Sequence, residues 1–404
     1  MKKLLFPFVL TLFHTIVQGQ QMPFPLQITG QNNGNRPVIT AVPFLSITPD
    51  AKSAGMGEAG AATSPNAVSA YWNAAKYAFI ENDFGGSISV TPWLRKVTND
   101  MSLNHLSFYK KLNDKETVAT SLVYFDLGTI TLTNTNGVIL GHFNPREFAL
   151  DASYSRKLSK KLSIGGTARF ISSNLIGDIN ASTINLNTGS TANTFAADVS
   201  LFYSNSEIIL LNNACNFALG LNFSNLGGKI IYANSLKKDH IPTNLRVGSA
   251  FSIESDMEHK VTFAFDLNKL MVPTPPVLDN TGNIIAGSAP SNSAIGGIFN
   301  SFRDAPEGAK EELQEMIIAS GIEYWYRNFF ALRSGYFHEH QKKGNRKYFT
   351  LGLGIKYQTF GVDFAYLVPT QRNNPLEDTL RFSLLVNFDK KEKALPPKES
   401  NAVY

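Results

Sequence analysis

Cysteine is nearly absent: Cys215 is the only one in 404 residues. A lone thiol closes no internal disulfide, so no cross-linked scaffold holds this chain. Charge is also scarce, at 17% of residues with a net +5 and no Lys/Arg block. That weakens any nucleic-acid reading, which needs a concentrated basic face. Glycine, at 30, is far below the one-in-three of collagen. Beyond the first twenty residues no 18 consecutive apolar residues occur, so no transmembrane helix is expected after them. Low hydrophobicity is lacking too: 43% of residues are hydrophobic and 29 are Phe, which excludes a disordered chain.

The start of the chain carries an export pattern. Lys2 and Lys3 precede an apolar stretch from Leu4 to Val17, and Val17-Gln18-Gly19 ends in a small residue. Positive region, short greasy region and small-residue site together predict a signal peptide over 1–19. An exported, cysteine-poor chain without a helical span is either soluble or a barrel in the outer membrane.

Alternation decides between them. Phe148, Leu150, Ala152 and Tyr154 interleave with Ala149, Asp151, Ser153 and Ser155. Phe349, Leu351, Leu353, Ile355 and Tyr357 interleave with Thr350, Gly352, Gly354 and Lys356. A period of two sends one set to each face of a sheet. Fourteen such segments run from near 84–92 to 380–388, the others lying near 102–112, 117–127, 146–158, 162–174, 193–205, 214–225, 241–253, 259–269, 320–328, 330–339, 347–357 and 359–368. Most have the roughly 9–11 residues that a tilted strand needs to cross a bilayer. The gaps alternate, every odd-numbered one being longer than its neighbours. Outer-membrane barrels have this asymmetry of short periplasmic turns and long extracellular loops. The expected fold is all-β: a 14-stranded antiparallel transmembrane β-barrel over 84–388, in the outer membrane. Its apolar side faces lipid. Asp151, Arg169, Asp198, Asn222, Arg246, Asp266, Glu323, Arg327, Lys356 and Asp363 are expected on the lumen side. The gap at 206–213 contains Ile208 to Leu211, too apolar for a simple turn, and reads as strand extension.

Residues 20–83 do not alternate. They open with a Gln/Asn/Pro-rich stretch and continue into small residues around Gly55, Met56 and Gly57, then a short helix expected over Ala67–Tyr77. This extension is expected to plug the lumen, with Gly55, Met56, Gly57, Trp72 and Asn73 as its motif. The long loop 270–319 holds Asp304 and Glu307 in capping-box spacing, predicting a helix over 306–318 with Leu313, Met316 and Ile317 as one apolar stripe. That stripe is a candidate partner-docking face, as are Trp93, Leu94 and Arg95 at the first extracellular loop. Residues 389–404 are charged and Pro-bearing, a tail expected in the periplasm.

Catalytic patterns are weak. No Gly-x-Ser-x-Gly elbow or phosphate loop occurs, and His338-Glu339-His340 has no evident third metal ligand. The expectation is a non-enzyme with no cofactor and no metal.

Two resemblances follow. Ala54–Ala62 (AGMGEAGAA) and Ala70–Lys76 (AYWNAAK) resemble the hatch of the FadL-type outer-membrane transporters, which carry Asn-Pro-Ala where this chain has Asn73-Ala74-Ala75. Thr40–Asp50 (TAVPFLSITPD), the AGMG stretch, Ala62–Pro65, Tyr71–Phe79 (YWNAAKYAF) and Thr91–Lys96 resemble the PorV family, barrels of the type IX secretion system of Bacteroidetes. Tyr124–Gly128, Glu147–Ala149 and Tyr154–Leu158 extend the likeness over nearly the whole chain after residue 19. It implies a part in protein secretion, with three kinds of partner: an outer-membrane translocon barrel, cargo bearing a C-terminal secretion domain, and a sortase-like attachment complex. Membrane lipid and lipopolysaccharide would surround it. The FadL likeness implies the alternative, transport of hydrophobic small molecules.

Overall fold

The computed structural model describes residues 36–175, 191–232, 238–255, 258–279, 281–289, 291, 293–371 and 374–389. The chain divides at residue 34 into two units, and every described residue belongs to the second. The signal-peptide expectation and the tail beyond 389 lie outside the described residues.

Fourteen strands close into one antiparallel barrel. They are β1 (Phe84–Pro92), β2 (Ser102–Lys111), β3 (Glu116–Asp126), β4 (Arg146–Lys157), β5 (Leu162–Asn174), β6 (Ala192–Leu210) and β7 (Asn213–Gly227). Then follow β8 (Asn244–Ser255), β9 (His259–Leu270), β10 (Met316–Tyr326), β11 (Phe330–His338), β12 (Lys347–Tyr357), β13 (Phe360–Pro369) and β14 (Leu380–Phe388). Each pairs with its neighbours in sequence, and β14 closes on β1 with Phe84 opposite Phe388 and Ile88 opposite Leu384. Closure leaves no open edge, the condition for a sheet to sit in lipid.

The pleat explains the sorting. On β4, Glu147, Ala149, Asp151, Ser153 and Ser155 are buried, while Leu150 and Tyr154 are exposed on the outer wall. On β12, Phe349, Leu351, Leu353 and Ile355 point out and Tyr348 and Thr350 point in. An apolar outside and a polar inside is the arrangement of a barrel in hydrocarbon. The short connections gather at one end and the long loops at the other. By the same rule these are the periplasmic and extracellular ends.

Two of the expectations about the wall and its loops change, over rim charges and the loop helix, and one, strand extension at 206–213, holds. First, Arg327 and Lys356 are not buried in the lumen. Both are exposed at the short-turn rim, where Arg327 pairs with Glu258 at 2.6 Å. Secondly, β6 runs on to Leu210 and turns through Leu211 and Asn212, both with positive φ (50° and 65°). The apolar 208–211 stretch is therefore the end of a long hairpin. Thirdly, the helix of the long loop is only α4 (Ala309–Gln314), following α1 (Ala51–Gly55), α2 (Ser69–Trp72) and α3 (Ala294–Asn300). Met316 and Ile317 already belong to β10, where they pair with Lys269 and Asn268. Long-range strand pairing satisfies their backbone and outcompetes the local helical pattern. The helix start moves as well: Gly308, not Asp304, precedes its first turn.

Residues 36–83 run through the barrel. At the long-loop end, Arg36 N–H donates to Lys342 O and Ala41 N–H to His240 O. At the other end Tyr77 stacks on Tyr109, just before β1. Asp50 caps α1 by accepting from Ser53 N–H at 2.8 Å. The helix expected over Ala67–Tyr77 is broken at Asn73, whose backbone is extended (φ −172°, ψ 103°), into α2 and a 3₁₀ turn, Ala74–Phe79. Asn73 spends its amide on the wall instead, donating to Leu201 O at 2.9 Å. Close approach is possible because the wall is bare where the plug touches it. A Cβ at Gly220 would lie 2.2 Å from Ala61 O, and one at Gly165 would lie 2.4 Å from Ala75 N.

Candidate functional site

The plug is bolted to the wall by polar pairs. Asp266 on β9 accepts from Gly60 and Ala61 N–H at 2.8 and 2.9 Å. Thr350 on β12 accepts from Gly57 N–H at 2.9 Å and donates to Gly55 O at 3.0 Å. Lys76, buried, donates to Gly60 O at 2.7 Å and holds the plug to itself. Around it two arginines tie strands together: Arg169 to Asp151 and Asp198 on the strands either side (2.7 and 3.2 Å), Arg333 to Glu323 on the next strand and to Asp363 two strands away (2.7 and 2.6 Å). These groups fill the lumen rather than line a passage.

A cavity of about 60 Å³ is lined by Glu58, Tyr71, Arg169, Asn225, Arg246 and Arg346. That is room for a few waters or one small polar group. Arg346 is paired with Glu339 at 2.8 Å, and Arg169 with its two aspartates. Arg246 differs. Its Nε donates to Asn268 at 2.5 Å and its guanidinium lies over the rings of Trp72 (4.4 Å) and Tyr71 (5.8 Å). Among the described residues no carboxylate pairs with it at ion-pair distance. A stacked, part-exposed guanidinium offers its remaining N–H groups to an anionic or carbonyl group entering from the mouth.

Above the cavity sits a collar of ion pairs. Arg36 reaches Glu307 (3.0 Å) and Glu311 (2.8 Å), and Lys342 reaches Glu307 (2.8 Å). Lys343 pairs with Glu311 (2.7 Å) and Glu315 (2.8 Å), and Lys269 with Glu312 (2.9 Å) and Glu315 (2.5 Å). Four separate parts of the chain are joined: the entry to the plug, the 271–315 loop, β9 and the 339–346 loop. Burial alone would raise Glu311, but the hydrogen bonds from Arg36 and Lys343 overcome it and hold its pKa down at about 2. Nearby Asp304 is pushed up to about 6 by burial and by the charge of Glu312.

The long loop also carries an apolar element. Ser293 caps α3 by accepting from Gly296 N–H at 2.8 Å. Ile295 and Phe299, four apart and so on one face, are 70% and 71% exposed. Water rather than lipid surrounds the loop end of a barrel, so two large apolar side chains stand exposed there on a short helix.

The residues singled out from sequence divide into three groups. Gly55, Met56, Gly57, Trp72 and Asn73 are all buried in the plug; Trp72, 1% exposed, donates from Nε1 to Asp50 at 2.7 Å. Trp93 packs partly buried on the cluster of Phe44, Leu45, Leu103 and Phe125 that closes the plug's upper end. Leu94 turns the chain with φ 50°, and Arg95 is exposed beside it. Leu313, Met316 and Ile317 do not form one stripe: Leu313 is exposed on α4, while Ile317 is buried and lines the cavity. The two histidines are used locally, His338 near Tyr336 and His340 accepting from Lys342 N–H. Sequence reasoning missed the collar, because Arg36 and Glu311 are 275 residues apart. It missed α3 as well, although Ser293 before Ile295 and Phe299 is a readable cap-and-face signal.

A family model described as "Type IX secretion system protein PorV" matches residues 30–277. No curated protein matches the chain. Among solved structures it is similar to the toluene transporter TbuX of Ralstonia pickettii (TM-score 0.46, 15% identity, covering 84% of this chain and 98% of that one). It is similar also to the P. putida toluene transporter TodX (0.46, 13%, 84% and 98%) and to a Pseudomonas aeruginosa FadL homologue (0.44, 11%, 85% and 98%).

Proposed function

The chain belongs to the family of the type IX secretion system protein PorV, and from that premise we propose that it is a non-enzymatic binding component of this secretion route in the outer membrane. It recognises protein at its extracellular mouth: the translocon barrel, cargo carrying a C-terminal secretion domain, and the sortase-like attachment complex that receives cargo. The single observation that carries this reading is the filled lumen. Pockets for drug-sized apolar ligands span roughly 300–1,000 Å³ and are mostly apolar. The cavity that the described residues enclose toward the barrel mouth is about 60 Å³ and is faced by three arginines. A hatch for hydrophobic small molecules, the competing function, gains no support from such a lumen. Binding at the mouth does, because Ile295 and Phe299 supply an exposed apolar anchor on the long loop and Arg246 a cation in the cavity.

Export through removal of residues 1–19 is part of the same proposal, and sequencing of the purified barrel is then expected to begin at Gln20. The experiment for the binding role is affinity purification of a tagged copy from its native membrane. The expected result is that other secretion components accompany it, and that I295D/F299D loses at least one of them while still folding. Purification of the chain alone, under conditions that keep other outer-membrane complexes intact, contradicts the proposal.

A further inference from the structure

The outer wall is indented at the seam where β14 closes on β1. On the outward face of β1, Gly86 sits between Phe84 and Ile88, so no side chain stands between those two. The result is a trough of about 710 Å³ at the short-turn end, floored by the Gly86 backbone and walled by Ile88, Phe108, Leu384 and Val386. Its end is closed by Phe84 stacked on Phe388, ring centroids 5.0 Å apart. Phe108 leans over the glycine: a Cβ there would lie 2.7 Å from its ring.

We propose that this seam binds one acyl chain of a zwitterionic aminophospholipid from the periplasmic leaflet. The trough is continuous with the apolar belt that faces hydrocarbon, so a lipid tail is what meets it. An empty trough forfeits the dispersion contacts of its lining, whereas a straight chain restores them. The rim supplies the headgroup match. Lys110 stands level with Phe84 and Phe388 across three strands, and Asp389 follows one residue beyond. Lys110 is exposed and offers a cation at phosphate height. Asp389, held by Asn82 at 3.0 Å, offers a carboxylate to an ammonium. Lys111 is engaged with Glu81 O at 3.1 Å. Mixed charge at the periplasmic end fits a zwitterion better than the multiply anionic lipid A of the opposite leaflet.

The test is native mass spectrometry of the barrel extracted in mild detergent. The expected spectrum holds a population with one bound aminophospholipid, reduced at least tenfold in Gly86→Leu, which fills the floor. Should Gly86→Leu fail the heat-modifiable gel shift of a folded barrel, Leu384→Trp blocks the same trough from the other wall and decides. A photo-crosslinking residue in place of Leu384 is expected to give a lipid-sized adduct in cells. A wild-type barrel without lipid, a bound lipid A, retention unchanged in the folded variants, or a protein-sized adduct each overturns the proposal.

Discussion

Gly57 in the plug and Gly335 on β11 meet backbone to backbone: a Cβ at 335 would stand 2.1 Å from the Gly57 nitrogen. Gly57 itself sits at φ +66°, a conformation that side chains resist. The small residues of the hatch are thus half of a contact whose other half is a bare wall. Gly335→Val is expected to lift the plug locally and let ions pass. Single-channel recording in planar bilayers checks this, with silent wild type and measurable conductance in the variant. Gly361→Ala, where the nearest neighbour would be 3.6 Å away, should remain silent.

Asp266 fastens the other side of the plug. Asp266→Ala orphans the N–H groups of Gly60 and Ala61 in a dry interior, at about 1–3 kcal/mol for each. Urea unfolding in lipid vesicles should show a lower midpoint. Asp266→Asn keeps an acceptor and should lose less.

The long loop should respond to pH in two opposite ways. Asp304 has a folded pKa raised to about 6, so its contribution is full below the unfolded value near 3.8 and is lost as pH rises through 6. Glu311 is held down at about 2, so its contribution is present above 4.5 and is lost as pH falls through 2. Hydrogen exchange over 293–315, corrected for the intrinsic rate, should therefore be slowest near pH 4.5 and faster at both pH 8 and pH 2. Protection that rises steadily towards pH 8 contradicts the Asp304 assignment.

Leu211 occupies the first left-handed position of the β6–β7 turn and is 88% exposed. Such turns favour Asn and Gly. Leu211→Gly removes a steric cost of roughly 1–2 kcal/mol. Slower unfolding of the variant in vesicles would agree with this.

Much of this architecture is legible in the sequence because a barrel strand advertises itself with a strict period of two. Phe349 to Tyr357 can be read no other way, and it is β12. Legibility fails where two patterns overlap. Leu313, Met316 and Ile317 fit a helical stripe, yet Met316 and Ile317 pair with β9, a partner nearly fifty residues away. It fails again where function depends on distant charges. The Arg36–Glu311 pair leaves no local trace, and Arg246 reads as one more lumen charge until Trp72 and Tyr71 are found beneath it. Arg327 and Lys356 fit the inward set by parity but fall at the turns, where the rule for faces ends.

The central claim is that this plugged barrel serves protein secretion through its extracellular face rather than through its lumen. The most direct measurement is the amount of cargo outside cells lacking the gene, after return of either the wild-type chain or I295D/F299D. Wild type should restore extracellular cargo and the folded double variant should restore at most a small fraction. Normal secretion in the deletion strain itself, or full restoration by the double variant, would contradict the account.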